Sequence, residues 1–286
     1  MVATAALSSS SVQLPFPDQP PNIHRNYTPC HPLLHRKINR GRPFRSISTS
    51  SCETLTLDRT TLSVEESASD DELSAAVRLR VRSFYQFGDS TYAFDGSNLS
   101  DPILIDHKRY LTERELEALK DRIAGRRKEF KMVTCINATL PLSGSLSSAS
   151  DLCSVCKYSV DGEDRVVVGT LDLNQCARLA DEIIGKRPEG TGADVTRAYI
   201  CNVCVAKELH RNGVGYALLV KSIKVAREWG ITDLYVHVAV DNEAARKLYM
   251  KSGFVYENEE PAWQARFLGR PRRYLLWADL TQTNNL

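Results

Sequence analysis

Asn242-Glu243-Ala244-Ala245-Arg246-Lys247-Leu248-Tyr249-Met250-Lys251-Ser252-Gly253-Phe254 is the stretch on which the fold turns. Asn242 is a good N-cap, its side chain suited to accept from first-turn N–H groups. Ala244, Ala245, Leu248 and Tyr249 follow at helical spacing, and Ser252-Gly253 is a helix stop. A helix therefore begins directly after the apolar strand Leu234–Val240 and hands over to a strand Phe254–Tyr256. One unit upstream, Val203-Cys204-Val205-Ala206-Lys207-Glu208-Leu209-His210-Arg211-Asn212-Gly213-Val214-Gly215 ends a strand, makes a polar turn and opens another helix. Leu219, Ile223 and Ala226 share a face of that helix, which runs to Trp229 and stops at Gly230. Glycines let a ligand approach the backbone, and unpaired amides at a helix start point at anions, so this turn is a phosphate cradle. A dinucleotide fingerprint would need a further glycine where Ala217 and Leu218 stand, which excludes a Rossmann reading.

Outward from this core, Ala198–Val205 is the preceding strand. Before it, two strands at about 153–160 and 165–173 are joined by the turn signal Asp161-Gly162-Glu163-Asp164. Phe130, Met132, Val133, Cys135 and Ile136 predict a strand, and 139–151 reads as a loop. Ser69-Asp70-Asp71-Glu72 is a capping box ahead of a helix over about 70–86, and Thr112 to Glu115 repeats the device ahead of one over about 113–128. Residues 174–196 form a second insertion, and Tyr274–Leu280 closes the pattern. The order predicts one α+β domain with a mixed sheet over 66–282.

The chain has 286 residues, 42 % apolar and 25 % charged, a globular composition with no apolar run long enough to span a membrane. Its net charge of +2 hides an asymmetry: residues 1–52 carry six Arg and Lys against the lone acid Asp18, so the remainder has an acidic excess. Nucleic-acid binding is disfavoured on that ground. Residues 1–52 are Ser- and Arg-rich, nearly acid-free and interrupted by Pro15, Pro17, Pro20 and Pro21, which breaks any secretory apolar core, and the leader is placed over 1–60. The composition predicts a chloroplast transit leader, the alternative being a basic tail kept on the mature chain. Cys153/Cys156 and Cys201/Cys204 form two Cys-x-x-Cys pairs, but strand alternation would turn the members of each pair to opposite faces, so buried thiols rather than a metal cage are expected. The basic run Arg266, Arg270, Arg272 and Arg273 reads as solvated surface, the alternative being attraction of acidic peptides. Lys120, Arg122, Arg126, Arg127 and Lys128 read as the polar face of the second helix.

Together the two motifs resemble the GNAT superfamily of acetyl-CoA-dependent N-acetyltransferases, marked by Arg/Gln-x-x-Gly-x-Gly/Ala and then Asn-x-x-Ala-x-x-Leu-Tyr-x-x-x-Gly-Phe. The second mark is matched in full; in the first, His210 stands where Arg or Gln is usual. With the leader, the match is to the plant plastid group, which acetylates protein N-termini and lysines and in some members arylalkylamines. The resemblance implies a mostly antiparallel sheet splayed at the acetyl-CoA site and flanked by helices, with Val203, Cys204 and Val205 along the cofactor and Arg211, Asn212, Gly213, Val214, Gly215 and Tyr216 around its pyrophosphate. Asn242, Glu243 and Ala244 would lie near its reacting end, and Tyr249 would protonate the departing thiolate. No metal is implied.

His237, five residues before Asn242, is the base expected on the same grounds, with Tyr199 as its partner and a water chain as the alternative. A plastid enzyme acting on stromal protein N-termini and lysines is the leading expectation. About half of α-amines but under ~1 % of lysines are neutral near pH 8, which favours the α-amine. A small-amine acetyltransferase would instead need a closed aromatic pocket, to which Tyr85, Tyr92, Phe94 and Trp263 are candidates. A non-catalytic acyl-CoA-binding module is the third reading. Oligomeric state is not readable.

Overall fold

The computed structural model describes residues 55–84, 102–142, 144–176 and 193–281. The chain up to residue 54, the aromatics Tyr85, Tyr92 and Phe94, and 177–192 lie outside the described residues. A short strand β1 (Ser63–Glu66) leads to α1 (Asp70–Phe84), then α2 (Pro102–Ile123) and the long β2 (Phe130–Pro141). α3 (Ser150–Cys156) precedes the hairpin β3 (Lys157–Val160) and β4 (Glu163–Cys176). The last part is β5 (Arg197–Val205), α4 (Val214–Glu228), β6 (Asp233–Ala239), α5 (Glu243–Lys251), β7 (Val255–Glu259), α6 (Ala262–Phe267) and β8 (Arg273–Asp279).

The eight strands form one sheet in the order β1-β2-β4-β5-β6-β8-β7, with β3 paired to β4. Every pair is antiparallel except β5 with β6. This is the mixed, mostly antiparallel α+β sheet expected from the sequence. The capping box at α1 forms in both directions: Ser69 Oγ accepts from Glu72 N at 3.2 Å and Glu72 Oε2 accepts from Ala68 N at 3.2 Å. At the β3–β4 turn both Asp161 (φ 50°) and Gly162 (φ 81°) are left-handed, as a two-residue primed turn requires.

Several local readings are corrected. α2 begins at Pro102, not near 113, and Thr112 is mid-helix with its hydroxyl donating back to the Lys108 carbonyl at 2.9 Å. Proline at a first helical position costs no hydrogen bond. The segment read as a loop over 139–151 is the end of β2 followed by a 3-10 helix, Gly144–Ala149, and the start of α3. Cys153 and Cys156 sit on α3 rather than on a strand. β1 and α6 have no counterpart in the sequence reading.

The packed body reaches back before residue 60, where the leader was expected to end. Leu55 and Leu57 pack on the core, Leu55 N donates to the Glu208 carbonyl at 2.8 Å, and the Asn212 side chain accepts from Leu57 N (3.0 Å) and donates to the Leu55 carbonyl (2.7 Å).

Two buried ionic groups brace the fold. Asp172 on β4 is fully buried, and its oxygens accept from Arg80 of α1 (2.6 and 3.0 Å), Arg122 of α2 (3.2 Å) and Asn202 of β5 (2.9 Å). Burial acts to raise its pKa, but the two guanidinium groups outweigh it and hold the carboxyl below its usual range. Arg122 is therefore not part of a solvated helix face. Nor is the run before β8 simply solvated: Glu260 accepts from both Arg270 Nη atoms and from Arg273 Nη2 (3.4 Å), and all three side chains are buried.

Candidate active site

The site starts from a disagreement between two edges of β5. On one side β5 pairs with β4 as far as Gly169↔Val205; on the other its parallel pairing with β6 runs from Arg197↔Asp233 to Ile200↔Val236 and ends there. From Cys201 to Val205 the edge facing β6 has no strand partner among the described residues. The departure coincides with a register shift opposite Thr170 and Asp172 and with Asn202 at φ 56°. A non-glycine residue there needs an anchor. The Asn202 amide supplies it by donating to buried Asp172.

The gap opens into a cleft of about 1020 Å³. β5 lines it with Tyr199, Cys201, Val203 and Val205, β6 with His237, and α5 with Ala244, Leu248 and Tyr249. Its far end is the α4 start, where Arg211, Gly213, Val214, Gly215 and Tyr216 line the wall. Gly213 is the left-handed N-cap (φ 83°), and the first-turn N–H groups of α4 have no helical acceptor. A Cβ on Gly213 would stand 3.1 Å from the Arg59 guanidinium. His210, which departs from the motif, uses Nε2 to hold the Val205 carbonyl at 3.0 Å, so the turn is closed by its side chain.

Gly215 is closely packed. A Cβ there would come within 2.9 Å of Leu248 Cδ2 and 3.7 Å of Val205 Cγ2. Gly215→Ala is expected to cost at most about 1 kcal/mol of stability, since overpacking against the Leu248 methyl is partly offset by the helix propensity of alanine. Denaturant unfolding checks this, and in a double-mutant cycle with Leu248→Ala the two changes should be less than additive.

Tyr199 and His237 meet. The Tyr199 hydroxyl lies 2.9 Å from His237 Nδ1, with the rings edge-to-face at 5.7 Å. Tyr249 is buried under the same cleft, edge-to-face with Phe254 at 5.8 Å. Its phenol is pushed well above the ordinary tyrosine range, first by burial and then by Cys201. Asn242 lines the cleft and caps α5, accepting from Ala245 N at 3.1 Å.

Three residues expected along the cofactor do not line the cleft. Cys204 points into the core, its thiol raised to about 11 by burial. The Asn212 side chain is committed to Leu55 and Leu57. Glu243 is exposed and pairs with Lys247 at 3.6 Å. Conversely, Cys201, Lys247 and Lys251 line the cleft without having been singled out as site residues, as do Arg270 and Arg273 of the basic run, for which attraction of acidic peptides was the alternative to a solvated surface. Among the described residues no group of three or more His, Cys, Asp or Glu could hold a metal, and the described cysteines form no disulfide.

Residues 138–254 match the family model of the Acetyltransferase (GNAT) family. Over 224 residues, 78 % of each chain, the protein is 61 % identical to GCN5-related N-acetyltransferase 7, chloroplastic, of Arabidopsis thaliana. The chain belongs to the GNAT acetyltransferase family. A second Arabidopsis relative in this GNAT family, GCN5-related N-acetyltransferase 6, chloroplastic, is 30 % identical over 200 residues, 66 % of this chain and 60 % of its own. Among solved GNAT structures, the PaiA N-acetyltransferase of Thermoplasma acidophilum in complex with coenzyme A aligns with 14 % identity and a TM-score of 0.43, over 76 % of this chain and 99 % of that one.

As a GNAT enzyme the protein is an acetyl-CoA-dependent N-acetyltransferase. The cleft fits that donor on its own terms: helix-start amides without a helical acceptor for phosphates, and, among the described residues, a strand edge with no strand partner for an amide-bearing arm.

Proposed function

We propose that the enzyme acetylates protein N-terminal α-amines in the chloroplast, with lysine ε-amines as slower acceptors. The observation that carries this reading is the Tyr199–His237 pair at the head of the unpaired β5 edge, with Tyr249 under the same cleft. Acetyl transfer to an amine has two proton requirements. The amine must be neutral when it attacks the thioester carbonyl, and the sulfur must leave without building full charge. In our reading His237 takes the amine proton directly or through a water, with Tyr199 orienting the ring through Nδ1. Tyr249 gives its proton to the departing sulfur, and its raised pKa keeps the phenol protonated through neutral and mildly alkaline pH. Val203 and Val205 offer backbone groups to the donor, and the α4 start holds its phosphates.

The plastid location rests on the leader composition and on the chloroplastic names of the two relatives. A small arylalkylamine would need a closed aromatic pocket, whereas Trp263 is 65 % exposed on α6 and outside the cleft lining.

The test is acetyl-CoA with a peptide library, read by mass spectrometry for α- and ε-acetyl groups. Acetyl on α-amines is expected; activity on small amines alone overturns the reading. His237→Gln should lower kcat by about 10²-fold near neutral pH. The deficit should shrink as pH rises past the α-amine pKa of ~8, because the acceptor is then already neutral. A pH-independent deficit would remove His237 as the base.

A further inference from the structure

The charge of the cleft wall is one-sided. Five Arg and Lys side chains line it (Arg211, Lys247, Lys251, Arg270 and Arg273), and no Asp or Glu is among the described lining residues. These cations form two groups. Arg211 follows the motif turn, and Lys247 and Lys251 come from α5, with Lys251 Nζ 5.3 Å from the ring of Tyr216 in the first turn of α4. They belong to the end where a donor's phosphates would lie. Arg270 and Arg273 come from the other side, at the start of β8.

Register fixes which face Arg273 shares. His237 stands opposite Leu275 and Ala239 opposite Arg273, so Arg273 is the same-face diagonal neighbour of His237. Such neighbours are about 7–8 Å apart, within reach of a long side chain. Phosphates at the α4 start do not account for cations on this face.

The arginines are held rather than loose. Both Arg270 Nη atoms donate to the two Glu260 oxygens in a fork, Arg273 Nη2 donates to Oε1 at 3.4 Å, and Arg272 Nε donates to the Glu260 carbonyl at 3.3 Å. Glu260 fixes the guanidinium planes and offsets one of their two charges without itself lining the cleft, so the pair keeps a net positive charge towards the interior. A fixed, largely desolvated guanidinium at a cleft wall is suited to a carboxylate and hostile to another cation. An enzyme built for polyamines or for lysines in basic sequences would need carboxylates here.

We propose that Arg270 and Arg273 select the acceptor: the preferred substrate is an α-amine whose next one or two residues carry a carboxylate, and acceptors with a second positive charge beside the amine are rejected. This rests on the peptide-acetylating function proposed above and adds its substrate class. Arg270 and Arg273 act on the acceptor's flanking charge, and proton transfer is left to His237 and Tyr249.

The experiment uses the full chain with acetyl-CoA and three peptides that differ only at the second residue, Asp, Gln or Lys. For the unaltered enzyme we expect kcat/KM to fall in that order, with Asp over Lys by about tenfold or more, and the span to narrow with added salt. Arg270→Gln should bring the Asp-to-Lys ratio below about threefold while the KM for acetyl-CoA changes little. Equal rates for the three peptides, or a preference for Lys, overturn the charge selection and leave the peptide function standing. A span that ignores both salt and Arg270→Gln assigns the preference elsewhere and overturns it too. No acetylation of any peptide by an enzyme that still binds acetyl-CoA overturns both readings. Because the three-peptide series needs no variant, a misfolded Arg270→Gln cannot rescue or hide the result.

Discussion

Tyr249→Phe will fold, bind acetyl-CoA with little change in KM and lose about 10²–10⁴-fold in kcat. The substitution removes one oxygen and keeps the ring that packs edge-to-face on Phe254, so the helix–strand junction that the ring supports is left intact. Among the described residues no hydrogen bond to the Tyr249 hydroxyl is found, so its deletion strands no buried partner. Stability should move by well under about 1 kcal/mol, in contrast to the loss of rate. Steady-state kinetics beside a thermal melt separates the two. Because the phenol is raised by burial, the unaltered enzyme should also show no alkaline fall in rate from its ionisation below pH ~10. An unchanged kcat would take Tyr249 out of the mechanism.

The second large effect is on stability. Asp172→Asn keeps shape and most hydrogen-bonding capacity but leaves the buried cations of Arg80 and Arg122 without their counter-ion. Breaking a buried pair in this way costs about 3–5 kcal/mol. The loss should reach the site, since Asn202 holds its left-handed backbone by donating to the same carboxylate. We expect a lower denaturation midpoint together with a raised KM for acetyl-CoA. The carboxyl is held below its ordinary value in the folded state, so its contribution is fully present above about pH 4 and fades as pH falls through the folded pKa. The variant and the unaltered enzyme should therefore converge in stability under acid, and diverge near neutrality. Equal midpoints at pH 7 would show that the network is not a brace.

The segment from 198 to 254 was legible because its signals are local. A cap at Asn242, left-handed glycines at 213, 230 and 253, and an apolar face on each helix act within a turn or two of themselves. What was not legible depends on distant partners. Arg122 lies on a helix rich in charge and looks like its neighbours, yet it reaches Asp172, fifty residues on. Arg270 and Arg273 looked like a wet surface because Glu260 sits ten and thirteen residues earlier, across a connection whose helix the sequence did not announce. β1 has four residues and exists because β2 offers it an edge. Thr112 imitated a cap, and only the run back to Pro102 identifies it as a helix interior. The Tyr199–His237 contact was suggested by family pattern; the geometry follows from Tyr199 and Tyr235 facing each other in parallel register, with His237 one step along the same face.

The short parallel pairing of β5 and β6 has a mechanical consequence. Four rows of residues join β1–β5 to β6–β8 within the sheet, beside a free edge that runs on for five residues more. The two blocks therefore meet at a seam that peels most easily from its open end. A donor lying in that opening would tie both sides together, and saturation at a hundredfold excess over Kd would add about 2.7 kcal/mol against unfolding. Resistance to heat and proteolysis should therefore rise with the acetyl-CoA concentration.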